Sequence, residues 1–300
     1  MQLAVLGCGL IGQSWTALFL ARGHDVMIWD PSPEARDGMA DGVVRPLQQL
    51  AELGFGNGSA KGQLIPCDKL EDAVRGAELV QENAPENVPL KQALYAQVEA
   101  AASSDTLIAS STSSLVWSEL SEGMVHPERF LTAHPFNPPH LMPLVEIYGR
   151  DNATVAKAEA FYRDLDRQTV CLKREAVGHI ANRLASALWR EAVNIVAEGI
   201  ADVPQVDAAL LNGPGLRWSV VGAHMAYHLG GGAGGIAHYL SHLGPSQEKR
   251  WSTLGSPNLT PEVCALLVEG VMAEAGGKSI SQLETDRDAR LIAAINARRS

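Results

Sequence analysis

Short apolar runs alternate with longer stretches of helical periodicity through the first 175 residues. Short apolar runs are typical of buried strands, whereas apolar positions three and four residues apart are typical of helices. Their alternation predicts a Rossmann-type, doubly wound and mostly parallel sheet. The strands are predicted at 2–6, 26–29, 64–65, 77–81, 107–110, 130–133 and 169–172, and the helices at 13–20, 34–53, 70–74, 89–102 and 153–166.

The pattern changes after the last predicted strand. Residues 180–199 have apolar positions at helical spacing, and the rest of the chain shows helical runs interrupted by glycine and proline. We therefore expect a Rossmann-like domain at 1–177 and an all-helical domain at 178–300. The glycine-rich segment 230–235 is predicted to be a flexible loop within the second domain.

The first apolar run leads directly into Gly7, Gly9 and Gly12, with the spacing Gly-x-Gly-x-x-Gly. In such a strand-to-helix turn the first glycine allows a sharp bend, the second lets the backbone approach a pyrophosphate, and the third lets the helix pack closely on the strand. The helix then begins with free N–H groups and a positive dipole end, which attract an anion. We expect this turn, including Leu10 and Ile11, to bind a dinucleotide.

Asp30 ends the second apolar run, eighteen residues beyond Gly12. A carboxylate at this spacing accepts hydrogen bonds from ribose hydroxyls. It would also repel the 2′-phosphate of NADP, and no arginine stands immediately beside Asp30 to receive that group. The sequence therefore predicts NAD as the cofactor. The alternative is that Asp30 only starts a turn before the two prolines that follow.

Composition and charge limit the kinds of partner that we expect the protein to bind. A net charge of -10 disfavours nucleic acid and anionic membranes, and no apolar run is long enough to span a bilayer. The four cysteines have neither zinc nor disulfide spacing, so we expect no metal site and a reducing, cytoplasmic environment. Cys8 lies within the glycine turn, either as a small residue or as an oxidisable thiol near the cofactor.

The richest chemistry outside the glycine turn lies in residues 132–140, Thr-Ala-His-Pro-Phe-Asn-Pro-Pro-His. His134 ends a predicted strand and is held by prolines. Glu146, in the next apolar run, can reach one of its ring nitrogens and support the imidazolium that forms when the other nitrogen takes a proton. Oxidation of a secondary alcohol with NAD needs such a base. The alternative is a loop histidine near a glutamate that caps a strand.

Several motifs together resemble the 3-hydroxyacyl-CoA dehydrogenase family over nearly the whole chain. They are the glycine turn with Asp30, residues 82–91, 111–115, 134–138 and 144–146, and Asn-Arg-Leu at 182–184. The resemblance implies that His134 is the general base, that Glu146 is its partner, and that Ser113 and Asn182 hydrogen-bond the substrate oxygen. The residues implied to lie near the nicotinamide ribose are Glu86, Lys91 and Asn137.

These residues also have structural interpretations. Ser113 would begin a turn, Asn182 would cap a helix, and Lys91 would be a solvated helix residue. The family resemblance further implies a homodimer formed through the helical domain, for which the predicted helix at 180–199 offers an apolar face.

Within the family, residues 213–218, 228–235 and 279–284 resemble the carnitine 3-dehydrogenases and the related lambda-crystallin-like L-gulonate 3-dehydrogenases, which oxidise free hydroxy acids. Arg217 is a candidate to bind the substrate carboxylate. Trp218, with Tyr227 and Trp189, is a candidate to face a quaternary ammonium. Alternatively, Arg217 pairs with an acidic neighbour and the aromatic residues belong to the core or to a dimer interface.

Two departures from the family pattern fall on the substrate side. Val177-Gly178-His179 stands where the family usually has Pro-Gly-Phe, and Ser111 replaces the usual asparagine before Thr112. The resemblance therefore implies the reaction more firmly than the substrate.

The sequence as a whole predicts an NAD-dependent dehydrogenase that oxidises the 3-hydroxyl of a small free hydroxy acid such as carnitine. L-gulonate and a 3-hydroxyacyl-CoA are alternative substrates. A crystallin-like structural protein that binds NAD without turnover is an alternative of a different class, and the intact His134 and Glu146 argue against it. A reductase of the 6-phosphogluconate type would use a lysine, and none lies near His134.

Overall fold

The computed structural model describes residues 1–299 of the chain. The strands are β1 Gln2–Leu6, β2 Asp25–Trp29, β3 Leu64–Pro66, β4 Leu79–Glu82, β5 Leu107–Ser110, β6 Phe130–Pro135, β7 Leu144–Tyr148 and β8 Gln168–Cys171. The helices are α1 Leu10–Ala21, α2 Pro33–Asp37, α3 Met39–Gly42, α4 Val44–Glu52, α5 Leu70–Val74, α6 Val88–Ala101, α7 Trp117–Leu120, α8 Asn152–Asp164, α9 Ala181–Ala197, α10 Val203–Asn212, α11 Pro214–Trp218, α12 Ala223–Gly230, α13 Gly235–Trp251, α14 Pro261–Ala275 and α15 Ile280–Arg299.

The strands form one sheet in the order β3-β2-β1-β4-β5-β6-β7-β8. The strands from β3 to β6 in this order are all parallel, β7 is antiparallel to β6, and β8 is parallel to β7. The predicted Rossmann-type, mostly parallel sheet is therefore confirmed. The strand order reverses between β1 and β4, which is where such sheets open a crevice at the carboxyl ends of their strands.

Apolar residues cover both faces of the sheet, as a doubly wound fold requires. On one face Leu3 and Val5 pack with aromatic residues of α1 and α8, among them Trp15 and Tyr162. On the other face the core includes Leu6 of β1 and residues of α5, α6 and α7. Alternate β1 residues thus serve opposite cores, which fixes the strand between the two helical layers.

The chain divides into two compact units. One comprises Met1–Arg183 with Leu291–Asn296, and the other comprises Leu184–Arg290 with Ala297–Ser300. Ile292, from the last helix, is buried in the core of the first unit. In the second unit α10 packs on α14 and α12 packs on α13, and every regular element from Leu184 to Arg290 is helical.

Two local predictions were wrong. The helix predicted at 34–53 is three helices, α2, α3 and α4, because Pro46 is tolerated only in the first turn of a helix, so the last of them restarts at Val44. The segment 230–235 is not an extended loop. It is a single 3-10 turn, Gly232–Gly234, that joins α12 to α13 through left-handed backbone at Gly232 and Gly235.

Within residues 1–299, every helix is too short or too polar to cross a bilayer.

Candidate active site

His134 and Glu146 lie directly opposite each other on the antiparallel strands β6 and β7. This pairing brings His134 Nδ1 within 2.9 Å of Glu146 Oε2, although twelve residues separate the two along the chain. Both side chains are buried. With a carboxylate at Nδ1, the neutral ring carries its proton there, and Nε2 keeps the lone pair that accepts a proton.

Glu146 is held at its second oxygen by the start of α9. Its Oε1 accepts hydrogen bonds from the N–H groups of Ile180, at 2.8 Å, and Ala181, at 3.0 Å. Burial opposes ionisation of this carboxyl, but the hydrogen bonds from His134 and from these two amides outweigh it and hold the pKa of Glu146 below 4.5. The pair therefore carries a fixed negative charge behind the imidazole.

His134 forms part of the wall of a cavity of about 390 Å³ at the carboxyl ends of the strands. The other residues that line it are Ile11, Asn83, Ala84, Pro85, Glu86, Lys91, Ser111, Thr112, Ser113, Pro135, Phe136, Asn137 and Asn182. The cavity thus brings together the predicted Ser113, Asn182, Glu86, Lys91 and Asn137 with the histidine. Glu146 is behind His134 and not in the wall.

Ser113 and Asn182 are adjacent in this wall. Asn182 Nδ2 donates to the carbonyl oxygen of Ser113 at 3.3 Å, so one of its two hydrogens is used and the side chain does not serve as a helix cap. The Ser113 hydroxyl donates to Glu86 at 2.9 Å. Two hydrogen-bonding groups therefore share the cavity wall with the imidazole.

Glu86 collects several donors from the segment that follows β5. Its carboxylate accepts from the Thr112 hydroxyl, at 2.8 Å, and from both the N–H and the hydroxyl of Ser113. Partial desolvation opposes ionisation even though the residue as a whole is exposed, but these hydrogen bonds and the nearby Lys91 outweigh it and lower the pKa of Glu86. A second fixed negative charge therefore lies at the cavity.

The three glycines of the first turn differ in their surroundings. Gly7 has a left-handed φ of +94°, and a Cβ on Gly12 would lie 1.9 Å from the Gly7 carbonyl oxygen. A Cβ on Gly9 would instead meet nothing within 4 Å. No side chain caps α1 at Gly9. The turn therefore leaves backbone N–H groups beside open space, as an anion site at a helix N-terminus requires.

Asp30 connects β2 to this turn. Its Oδ2 accepts from the Cys8 N–H at 2.8 Å, and its Oδ1 accepts from the Ser32 N–H at 2.9 Å. Burial, with a smaller contribution from Asp30, raises the pKa of the Cys8 thiol to about 12, so this thiol stays protonated and unreactive. Arg36, six residues further on, donates to the Asp30 carbonyl oxygen and pairs with Asp68, a neighbour that the sequence did not indicate.

A second cavity, of about 600 Å³, extends from the glycine turn along α6. Its walls include Gly7, Gly9 and Asp30, and it shares residues 83–85 with the cavity at His134. A dinucleotide has two nucleotide halves joined by a pyrophosphate. The two cavities, with the open space at Gly9 and the free end of α1, fit such a group: adenosine on the Asp30 side and nicotinamide on the His134 side.

A buried ion pair, which the sequence did not reveal, supports the segment 83–85 that the two cavities share. Lys91 Nζ lies 2.6 Å from Glu82 Oε1 and donates to the Ala84 carbonyl oxygen at 2.9 Å. The other Glu82 oxygen accepts from Tyr95 and Ser110. Lys91 is therefore not a solvated helix residue. The only signal in the sequence was the polar Glu82 at the end of a buried strand.

The proposed substrate-binding pair lies in the second unit. Arg217 and Trp218 are exposed on the short helix α11, and Arg217 has no ion-pair partner among residues 1–299. The Tyr227 ring packs against that of Tyr239, with centroids 5.0 Å apart and planes tilted by 50°, and Trp189 is exposed. Over the same described part of the chain, no three His, Cys, Asp or Glu side chains are grouped as metal ligands.

The chain is similar to known proteins over its full length. Residues 2–176 match the model of the 3-hydroxyacyl-CoA dehydrogenase NAD binding domain, and residues 178–256 match that of the family's C-terminal domain. An L-carnitine dehydrogenase from Streptomyces coelicolor is 41% identical over 299 residues, which cover 99% of this chain and 94% of the relative. An L-carnitine dehydrogenase from a Pseudomonas species is 40% identical, covering 98% and 92%.

Solved structures agree with these matches. A 5-formyl-3-hydroxy-2-methylpyridine 4-carboxylic acid 5-dehydrogenase, described as an NAD⁺-dependent dismutase, has a TM-score of 0.81 at 25% identity, covering 100% of this chain and 98% of the other. The 3-hydroxybutyryl-CoA dehydrogenase of Escherichia coli has a TM-score of 0.64 at 29% identity, covering 71% and 46%. The chain therefore belongs to the 3-hydroxyacyl-CoA dehydrogenase family of NAD-dependent oxidoreductases.

Proposed function

We propose that this protein oxidises the 3-hydroxyl of L-carnitine with NAD, and that His134 is the general base. The observation that supports this proposed reaction is the buried His134–Glu146 pair, whose imidazole lies in the wall of the cavity. The choice of L-carnitine as the substrate is based on the relatives named L-carnitine dehydrogenase, which are about 40% identical over nearly the whole chain.

The proton of the substrate hydroxyl goes to His134 Nε2. Nδ1 stays hydrogen-bonded to Glu146, which supports the imidazolium that forms and keeps the ring in one orientation. Because the hydrogen bonds from Ile180 and Ala181 keep Glu146 ionised, its charge is in place before the substrate arrives. Such preorganised charge acts strongly in a buried site.

Ser113 and Asn182 orient the substrate oxygen. Asn182 Nδ2 has a second hydrogen to donate, and the Ser113 hydroxyl would give up its bond to Glu86 to do the same. Both donors strengthen as negative charge develops on the oxygen, so they favour the transition state over the ground state.

Gly7, Gly9 and Gly12 would hold the pyrophosphate of NAD through the backbone, with Leu10 and Ile11 contributing the first amides of α1. Asp30 would hold the adenosine ribose, and Glu86, Lys91 and Asn137 would border the nicotinamide ribose. When bound, NAD accepts the hydride that leaves the carbinol carbon. The negative charge of Glu86 would favour the positively charged nicotinamide ring, because opposite charges attract.

Carnitine carries a carboxylate and a quaternary ammonium. Arg217 would bind the carboxylate with its planar fork of donors, and Trp218 would face the ammonium. Arg217→Lys keeps the charge but loses the fork, so it should raise the KM for carnitine while leaving the KM for NAD unchanged.

A substrate panel tests the proposal. L-carnitine, D-carnitine, L-gulonate and 3-hydroxybutyryl-CoA are each supplied with NAD, and cofactor reduction is followed at the nicotinamide absorbance. L-carnitine should give the highest kcat/KM. A higher value with L-gulonate or with the CoA thioester would assign the protein to another branch of its family, and no reduction with any of the four would contradict the proposed activity.

We further propose a cytoplasmic homodimer. Helix α14 has no buried residue, and Val268, Val271 and Met272 are exposed along one side of it. Such a face is typical of an interface. Sedimentation at micromolar concentration should show a species of twice 32.0 kDa, and a species of 32.0 kDa alone would contradict the dimer.

A further inference from the structure

His179 occupies the turn that leads into α9. Its φ is +51°, in the left-handed region that non-glycine residues seldom adopt, although histidine does so more readily than most. Its side chain is only 3% exposed. The sequence singled this residue out only as a departure from the family pattern, and nothing in the reaction described above uses it.

This residue adjoins both members of the His134–Glu146 pair. Its ring packs on His134, with centroids 4.8 Å apart and planes inclined by 51°. The two amides that follow it, those of Ile180 and Ala181, are the ones that bind Glu146. One residue thus packs on the base with its side chain and sets the direction of the amides that hold the carboxylate.

The ring of His179 is buried and uncharged. Neither of its nitrogens has a hydrogen-bond partner within residues 1–299. Burial, and then the neighbouring His134, lowers its pKa to about 4 against the opposing charges of Glu146 and Glu86. A protonated ring here would repel the positive charge that His134 gains during the reaction, and burial of the ring prevents this.

Both features are costly. A buried polar group without a partner destabilises the folded chain, and so does left-handed backbone at a non-glycine residue. Such costs persist at one position when the surrounding structure needs that conformation. Here the conformation places a neutral ring on the catalytic imidazole and two amides on its partner.

We infer that His179 is a positioning residue for the His134–Glu146 pair: its ring holds the imidazole of His134 against Glu146, and its left-handed backbone directs the Ile180 and Ala181 amides to the same carboxylate. This inference rests on the proposed role of His134 as the base. His179 itself does not line the cavity.

Three variants separate the ring from the backbone. His179→Ala removes the ring, and a displacement of the base by about 1 Å can lower kcat about 100-fold, so we expect a loss of about 10- to 100-fold with the KM for NAD unchanged. His179→Phe keeps a ring and should recover most of kcat. His179→Gly should be as slow as His179→Ala but more stable, because glycine adopts a positive φ without strain.

A proton NMR spectrum supplies a readout that does not depend on turnover. A ring N–H donated to a buried carboxylate gives a strongly downfield resonance, which Glu146→Gln should abolish and so assign to His134. The signal should be lost from His179→Ala by exchange with water and kept in His179→Phe.

The positioning role is overturned if His179→Ala keeps both the resonance and kcat, or if His179→Phe is as slow as His179→Ala, since the nitrogens rather than the ring would then matter. If the resonance behaves as expected but His134→Gln retains full kcat, the fault lies with the proposed base and not with the positioning of the pair.

Discussion

The glycine turn and the His134–Glu146 pair lie at the same edge of one sheet but are built by opposite means. The turn is a continuous segment whose binding groups are backbone amides, and it depends on the absence of side chains. The pair depends on two side chains from β6 and β7 and on amides at the start of α9. Affinity for the cofactor and the rate of the chemical step are therefore separable in this protein, because the two regions share no residue.

The largest expected effect is on the chemistry alone. His134→Gln should lower kcat by about 10²–10⁴, the usual value of a general base, and leave NAD affinity unchanged because His134 is not among the residues that would hold the pyrophosphate. Steady-state kinetics and titration with NAD measure the two quantities. His126→Gln, at an exposed histidine on the surface, is the matched control and should change neither. Equal loss of kcat and NAD affinity in His134→Gln would show that the regions are not separable.

The next largest effect is expected on the affinity for NAD alone. Gly9→Ala places a methyl group in the open space beside the free end of α1, where the fold does not resist it. Overpacking costs about 1–3 kcal/mol, so the KM for NAD should rise roughly ten- to a hundredfold, with kcat at saturating NAD close to wild type. The melting temperature should not change.

Gly12→Ala is the control for that interpretation. Its methyl group would collide with the Gly7 carbonyl oxygen, so it should lower the melting temperature as well as NAD affinity. If Gly9→Ala destabilised the fold as much as Gly12→Ala, the space at Gly9 would not be a cofactor site.

A smaller effect is expected at Asp30. Asp30→Ala removes an acceptor for the ribose hydroxyls and the charge that repels a 2′-phosphate, so preference for NAD over NADP should fall about tenfold. Because the two Asp30 oxygens also hold the Cys8 and Ser32 amides, Asp30→Asn serves as the control that keeps one acceptor and loses the charge together with the other acceptor. The ratio of kcat/KM for the two cofactors is the readout. A wild-type enzyme that used both equally would contradict the assignment of Asp30.

The glycine turn was predictable because its chemistry is local. Gly7, Gly9, Gly12 and Asp30 are spaced by the geometry of one strand, one helix and the next strand, and that spacing is visible in the chain. The pairing of His134 with Glu146 was predictable only as a hypothesis, since it depends on the antiparallel register of two strands joined by a proline-rich loop.

The buried side chains that support these two regions were not predictable from the sequence. Glu82 meets Lys91, Tyr95 and Ser110 across as many as 28 positions in sequence, and such contacts follow from the sheet order rather than from any local pattern. The burial of His179 depends likewise on packing that joins distant segments. Local helix propensity also predicted a single helix at 34–53, whereas Pro46 requires the last helix of this segment to begin at Val44.

The smallest effect concerns stability and pH. His179 has a folded-state pKa of about 4 against an ordinary 6.5, facing His134, Glu146 and Glu86. Between these values the unfolded chain binds more protons, so His179 lowers stability as pH falls below 6.5 and has no such effect above it. From pH 8 to pH 6 the loss is about 1 kcal/mol. Urea unfolding should show His179→Phe losing that much less than wild type, and equal losses would contradict the buried, neutral ring.

The central claim is that the imidazole of His134, supported by Glu146, takes the proton as the hydride leaves. Rapid mixing of substrate with enzyme saturated with NAD isolates that step in a single turnover, free of product release. The hydride-transfer rate should fall by about 10²–10⁴ in His134→Gln. It should also fall in Glu146→Gln, because the Gln oxygen stays with the Ile180 and Ala181 amides and its NH₂ group faces Nδ1, which moves the ring proton to Nε2. Hydride transfer at the wild-type rate in His134→Gln would contradict the claim.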